Sequence, residues 1–154
     1  MTSLPDGLTL HRADGLAEIP IATFYRIARL RQEVFVVEQD CPYLDLDGRD
    51  LEPGAVQLWA ADEHGEIAAS MRILDESAGV SGAASIGRVV TAPAWRGRGA
   101  AGAVLRAAIE ACGERTILIH AQSHLRRWYE GFGFIVSGDE FLEDGIPHLP
   151  MRIR

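Results

Sequence analysis

The stretch Val89-Val-Thr-Ala-Pro-Ala-Trp-Arg-Gly-Arg-Gly-Ala-Ala-Gly-Ala-Val-Leu105 runs from the end of an apolar strand into a helix. At the junction stand three glycines and two alanines, Gly97, Gly99, Ala100, Ala101 and Gly102. A helix leaves its first N–H groups without intrahelical acceptors and carries the positive end of its dipole there. Small residues let an anion reach that backbone, where a Cβ would hold it off. Arg96 and Arg98 add positive charge at the same place. The pattern predicts a phosphate or pyrophosphate site; an ordinary tight turn needs one glycine. The spacing Gly97-x-Gly99-x-x-Gly102 also matches the dinucleotide fingerprint. That fingerprint requires an acid about 20 residues on, at the end of the second strand. Here the second strand ends Ile119-His-Ala-Gln122, with no acid. A P-loop is excluded, since no Lys-Ser/Thr pair follows the last glycine.

Working outward, Ala84 to Thr91 and Thr116 to Ala121 read as the strands flanking that helix, which opens at Gly97, runs to about Cys112 and stops at Gly113. Ala55 to Ala61 and Ile67 to Leu74 read as a hairpin turning at Asp62 to Glu66. Leu8 to His11 is a short first strand. Pro20 opens a helix whose apolar positions, from Phe24 to Val34, follow helical spacing. The β-branched run Val34 to Val37 ends or bends it. Ser123 is placed to cap a helix to Glu130, Phe134 to Val136 is a strand, Phe141 to Pro147 a loop, and His148 to Ile153 a last strand. The expected fold is mixed α/β, a largely antiparallel sheet with one βαβ unit near the middle.

The 154 residues, read as one domain spanning 1–154, suffice for a core without disulfide or metal. No apolar run is long enough for a membrane span, and Met1 to Leu10 lacks the pattern of a signal peptide. Cys41 and Cys112 form no CxxC pair, and reduced thiols in a cytoplasmic protein are the simplest expectation. A net charge of −7 argues against nucleic acid as a partner. The histidines show no metal-ligand spacing. Asp45-x-Asp47-Gly48-x-Asp50-x-Glu52 has its glycine in the wrong place for a calcium loop. These acids, with Glu38, Asp40, Glu140, Glu143 and Asp144, either line a cleft for a cationic substrate or form a solvated acidic surface.

Arg96-x-x-Gly99-x-Ala101 resembles the pyrophosphate motif of the GNAT N-acetyltransferases, and Leu125-Arg-Arg-Trp-Tyr129 with Gly133-Phe134 resembles their tyrosine-bearing segment. Leu30-Arg-Gln-Glu-Val-Phe-Val-Val-Glu-Gln39, Cys41-Pro-Tyr, Ile86-Gly-Arg-Val-Val90, Ala121-Gln-x-His-Leu125 and Glu143-Asp-Gly-Ile-Pro-His148 are similar to the ElaA-like branch, so the likeness spans about residues 20 to 151. The resemblance implies a GNAT acyl-CoA N-acyltransferase fold with a splayed central strand pair, acetyl-CoA as cosubstrate and an amine as acceptor. It implies that Val89, Val90 and Thr91 pair with the pantetheine arm. It implies that the turn from Arg96 to Gly102 holds the pyrophosphate, and that Gln122 stands near the cofactor where many members have Asn. A homodimer stays open.

Acetyl transfer requires a neutral amine, a stabilised oxyanion and a proton for the departing thiolate. The resemblance assigns the proton donor to Tyr129, which a packed helix aromatic would equally explain, and the oxyanion to a backbone N–H near Val90. The strand before the turn carries Arg88 where many members have a carboxylate, and arginine is no base near neutral pH. Glu33, Glu38, His124, Asp144 and His148 are the candidate bases, with His148 and Glu33 foremost; a water relay is the alternative. The function expected is an acetyl-CoA-dependent N-acetyltransferase. A non-catalytic module binding acyl-CoA or a partner is the other reading.

Overall fold

The computed structural model describes residues 3–154. Eight strands form one sheet in the order β1-β2-β3-β4-β5-β8-β6, with β7 also paired to β8. They are β1 Thr9–Ala13, β2 Val56–Ala61, β3 Ile67–Asp75, β4 Ala83–Thr91, β5 Thr116–Gln122, β6 Ile135–Val136, β7 Phe141–Glu143 and β8 Ile146–Ile153. Every neighbouring pair is antiparallel except β4 with β5. The crossover between those two is α2, Ala100–Ala111, which is the expected βαβ unit.

Strand alternation divides the core between two faces. Leu58 and Ala60 of β2 join Val104, Leu105 and Ala108 of α2, whereas Trp59 and Ala61 join Ile27 and Leu30 of α1, Ile21–Arg31. Ala68, Ala69 and Ala84 belong to the α2 cluster and are fully buried. Small side chains on the strands let the helix lie close to the sheet.

The β-branched run after α1 does not end the helix. It widens it into a π-helical segment, Gln32–Glu38, with Gln39 N–H bonded to Val34 C=O at 3.1 Å and Cys41 N–H to Val36 C=O at 3.0 Å. Three further expectations need correction. Phe141 to Pro147 is not a loop but most of a hairpin. Asp144 (φ 52°) and Gly145 (φ 76°) both adopt the left-handed conformation of a two-residue type I′ turn between β7 and β8. Ser123 does not cap α3, Arg126–Glu130; its hydroxyl donates to Glu140 at 2.7 Å, and a 3₁₀ turn precedes the helix. Gly97 to Gly99 lie in the turn ahead of α2, not in its first residues.

The acidic segment 45–50 is neither a ligand loop nor a solvated surface. Arg31 of α1, only 1% exposed, binds Asp45 at 2.9 Å and Asp50 at 2.8 Å. Arg72 of β3 binds Asp47 at 2.8 Å and Asp50 at 3.2 Å. Arg88 of β4 reaches Asp45 at 2.9 Å and Asp47 at 3.2 Å, and Gln57 of β2 donates to Asp50 at 2.8 Å. One loop is thereby fastened to α1, β2, β3 and β4. Hydrogen bonds from Arg72 hold the Asp47 carboxyl far below its usual range. Burial pushes Asp50 up, but hydrogen bonds and charge from Arg31, with Gln57 and Arg72, bring it below its usual range.

Carboxyls depressed in the folded state add stability above their unfolded pKa of about 4, and it is lost as the pH falls through the folded values. Urea unfolding is therefore expected to show a midpoint that drops as the pH is lowered below about 5. Arg31→Ala leaves Asp45 and Asp50 buried without their main partner and is expected to cost about 3–5 kcal/mol in the same measurement at pH 7.

Candidate active site

β4 and β5 pair only at Ala83–Thr116, Ala84–Ile117 and Ser85–Leu118, and then part. At the parting, Arg88 and Val89 of β4 stand opposite the single Met71 of β3, between the pairs Arg72–Gly87 and Ser70–Val90. This is a bulge, and Arg88 sits in it at φ 52°. Beyond it the edge of β4 from Val89 to Thr91 faces an open cleft of about 990 Å³ between the two strands.

The glycine turn closes one end of that cleft. Gly97 (φ 72°) and Gly99 (φ 86°) are both left-handed, a conformation that side-chain-bearing residues rarely take. The first bond of α2 is Ala103 N–H to Gly99 C=O at 3.1 Å, so the N–H groups ahead of it have no helical acceptor. No side chain caps the helix. The two arginines flanking Gly97 have other partners: Arg96 grips Glu38 with two contacts of 2.9 Å, and Arg98 lies over the Trp95 ring, 4.1 Å from its centroid. The donors left free at this turn are therefore backbone groups.

The far wall carries Gln122, His124 and Tyr129. Gln122, at the end of β5, lies 3.5 Å from Gln39, which follows the π-helical segment. His124 is exposed. Tyr129 is 6% exposed, edge-on to Trp128 and Phe134, and burial pushes its phenol well above the usual range. Trp128 packs on Tyr129 and Phe132, as a supporting aromatic.

The candidate bases separate sharply. Glu33 does not line the cleft; it is exposed and paired with Arg29 one turn back at 3.0 Å, a helix-surface ion pair. Glu38 is engaged by Arg96. Asp144 is exposed at the hairpin turn, whose backbone C=O accepts a 3.0 Å bond from the buried Cys41 thiol. His148 is 7% exposed and lines the cleft, with Nδ1 2.7 Å from the C=O of Ile146. Because a carbonyl only accepts, Nδ1 carries the proton, and Nε2 of the neutral ring is left as an acceptor. Cys112, expected in the core, is buried against α2 and the sheet.

The sequence reading missed His120, and it named Glu143 only among the acids offered as cleft lining, where the structure places it. His120 Nδ1 lies 3.1 Å from Glu143, whose other oxygen is 3.6 Å from His148 Nε2. The hydrogen bond that His120 donates to Glu143 raises the imidazole above its ordinary value, and the same bond lowers the Glu143 carboxyl. Phe141 packs edge-on to His120 and stacks on His148. The readable signal was Asp144-Gly145, a strong hairpin turn that brings Phe141 and Glu143 back beside His148.

Residues 32–154 match the model of the acetyltransferase (GNAT) domain. The chain belongs to the GNAT acetyltransferase family. It is 36% identical over 141 residues to protein ElaA of Escherichia coli, covering 88% of this chain and 90% of that one. It is 42% identical over 134 residues to a UPF0039 protein of Mycobacterium tuberculosis, covering 87% and 86%. An acyl-CoA N-acyltransferase from Pseudomonas aeruginosa superposes with a TM-score of 0.87 at 36% identity, covering 94% of this chain and 98% of that one. The crystal structure of E. coli ElaA superposes equally well, at 0.87 and 31% identity, covering 96% and 99%. The splayed parallel pair and mixed sheet are thus the GNAT acyl-CoA N-acyltransferase fold. No helix among the described residues is long and apolar enough to cross a membrane.

The His120–Glu143 bond sets a titration. In a pH series followed by NMR, the His120 ring is expected to titrate above the ordinary histidine midpoint of about 6.5, and Glu143→Gln to lower that midpoint. A raised histidine stabilises the fold below its unfolded pKa, so this contribution disappears as the pH rises through the folded value. An unmoved His120 midpoint in the variant would refute the pairing.

Proposed function

We propose that this GNAT protein is an acetyltransferase that moves the acetyl group of acetyl-CoA to a primary amine by direct attack on the thioester. The observation that carries the reading is the sharing of one cleft. Unbonded N–H groups at the head of α2, the free edge of β4 beyond its bulge and the buried Tyr129 all open onto it. The turn from Arg96 to Gly102 fits a pyrophosphate, because left-handed glycines and a dipole end present donors without side chains in the way. Val89, Val90 and Thr91 have the strand edge to pair with the amides of a pantetheine arm, and Gln122 closes the gap opposite. Two free, buried thiols support a cytoplasmic location.

In this reaction His148 Nε2 takes one proton from the acceptor's ammonium group. The freed nitrogen lone pair forms the N–C bond at the thioester carbonyl, and a backbone N–H near Val90 stabilises the oxyanion. The C–S bond then breaks with its electron pair on sulfur, which takes the phenolic proton of Tyr129. The second nitrogen proton and the His148 proton leave to water, from which Tyr129 regains its own. The balance is one acetyl amide, one CoA thiol and one released proton.

In a thermal melt, acetyl-CoA and CoA are expected to stabilise the protein, by about 2.7 kcal/mol at 100 times the dissociation constant, and NAD to leave it unchanged. Gly99→Glu, which puts a side chain and a negative charge at the anion site, is expected to abolish the shift while the fold remains. A shift with NAD and none with CoA would sink the reading.

Tyr129→Phe keeps the ring and its packing and removes one proton donor. Turnover is expected to fall by about 10²-fold, the lower end for positioned acid–base groups, with the Michaelis constant for acetyl-CoA near wild type. Wild-type turnover in a chemistry-limited assay of the folded variant would return Tyr129 to the role of a packed aromatic.

A further inference from the structure

We propose that Glu143 and His148 together form the site for the acceptor's ammonium group, and that this site selects primary amines carrying no carboxylate beside the nitrogen. The inference rests on the acetyltransfer reading for its chemistry and on side-chain geometry for its specificity.

The geometry places two acceptors face to face. His148 Nδ1 is bound to Ile146 C=O, so Nε2 of the neutral ring presents a lone pair. Facing it at 3.6 Å is an oxygen of Glu143, too far for a hydrogen bond. Two acceptors held this close are satisfied together by one donor with several N–H bonds and a positive charge. An alkylammonium is such a donor: one N–H goes to the carboxylate and one to the imidazole nitrogen that will take its proton. His120, bonded to the other oxygen of Glu143 at 3.1 Å, fixes the carboxylate.

The charges around the cleft exclude a carboxylate next to that nitrogen. Four arginines line the cleft, and each already holds carboxylates of the chain. Arg49 holds Glu52 and Glu76, Arg72 holds Asp47 and Asp50, Arg88 holds Asp45 and Asp47, and Arg96 holds Glu38. Among the described residues, the cleft carboxylates without an arginine ion pair are Glu143 and Asp144, neighbours on the hairpin. An α-carboxylate would meet these two acids with no free guanidinium to bind it. Like-charge juxtaposition of this kind costs several kcal/mol.

The test uses matched acceptors that differ only in the carboxylate: pentylamine with norleucine, and phenethylamine with phenylalanine. CoA release from acetyl-CoA is expected to give kcat/KM at least about tenfold higher for each amine than for its amino acid. Glu143→Gln is expected to raise KM for pentylamine by about tenfold, with a smaller effect on kcat, and to narrow the gap between amine and amino acid; Glu143→Asp restores part of both. His148→Asn retains a donor for Ile146 C=O but loses Nε2, and is expected to lower kcat by about 10²-fold or more.

Binding is read separately on the wild-type protein. The ring signals of His120 and His148 in NMR are expected to respond to pentylamine and not to norleucine. Ring signals that respond without CoA release keep the ammonium site and overturn acetyl transfer. CoA release with ring signals that do not respond keeps acetyl transfer and overturns the site. Amino acids used as well as the matched amines overturn the specificity, and silence in both measurements overturns both.

Discussion

Arg88 occupies a left-handed conformation in the middle of a nine-residue strand, and the cleft depends on its being held there. A residue with a side chain in that region costs of order 1–3 kcal/mol and persists only where its surroundings over-determine it. Here they do. The Arg88 guanidinium is bound to Asp45 and Asp47, and those carboxylates are in turn fixed by Arg31 and Arg72. The bulge that results lies three residues beyond Ser85, the last residue of β4 paired with β5, and keeps the two strands from rejoining. Without it, β4 and β5 could continue their parallel ladder, and the backbone edge from Val89 to Thr91 would be consumed by strand pairing. The buried ion network is thus weak evidence for stability in itself and stronger evidence for shape. Replacing it with apolar residues could preserve a fold while removing the reason for β4 to bend.

The same network aligns the π-helical segment with the cleft. Arg31 is the last residue of α1, and the segment that follows carries Glu38 to Arg96 of the glycine turn, while Gln39, next in the chain, meets Gln122 of β5. These are the contacts that span the opening. A π-helical turn is rare and is frequently found at functional sites. The widening that the valines impose shifts the residues after them relative to an α-helical path, which is how Glu38 and Gln39 come to bridge the two walls. Local backbone irregularity, in β4 and after α1, therefore builds both the gap and what crosses it.

Much of this was legible in the residues, for identifiable reasons. The βαβ unit was readable because Ala84 to Thr91 and Thr116 to Ala121 are mostly apolar and β-branched, and the helix between them is punctuated by glycines at both ends. The β7–β8 hairpin was only half legible: His148 to Ile153 read as a strand, whereas β7 is three residues long and carries too little local pattern to be told from a loop. The acids from Asp45 to Asp50 read as lining for a cationic substrate or as a solvated surface because their partners, Arg31, Arg72 and Arg88, lie 14 to 43 residues away in sequence. Glu33 reads as a base on residue type alone, and only the helix phase shows it paired with Arg29 outside the cleft. Buried charge pairing and strand register are long-range properties, and local pattern does not carry them.

The raised phenol of Tyr129 bears on the chemistry in a way that the number alone conceals. A tyrosine near 10 is already a weaker acid than a free thiol near 8.5, and burial pushes Tyr129 further from it. Measured against a thiol in water, complete proton transfer to a departing thiolate would become less favourable. But in the proposed reaction a thiolate formed beside the Tyr129 ring also leaves bulk water, and desolvation raises its proton affinity as it raises that of a phenolate. The comparison that matters is between a phenolate and a neighbouring thiolate, and the edge-packed Trp128 and Phe134 rings keep solvent from the phenol. A buried phenol also stays protonated throughout the physiological range, so it can donate a hydrogen bond to sulfur as charge builds in the transition state. Stabilisation of that developing charge needs the donor in place beforehand and does not need the proton to have crossed.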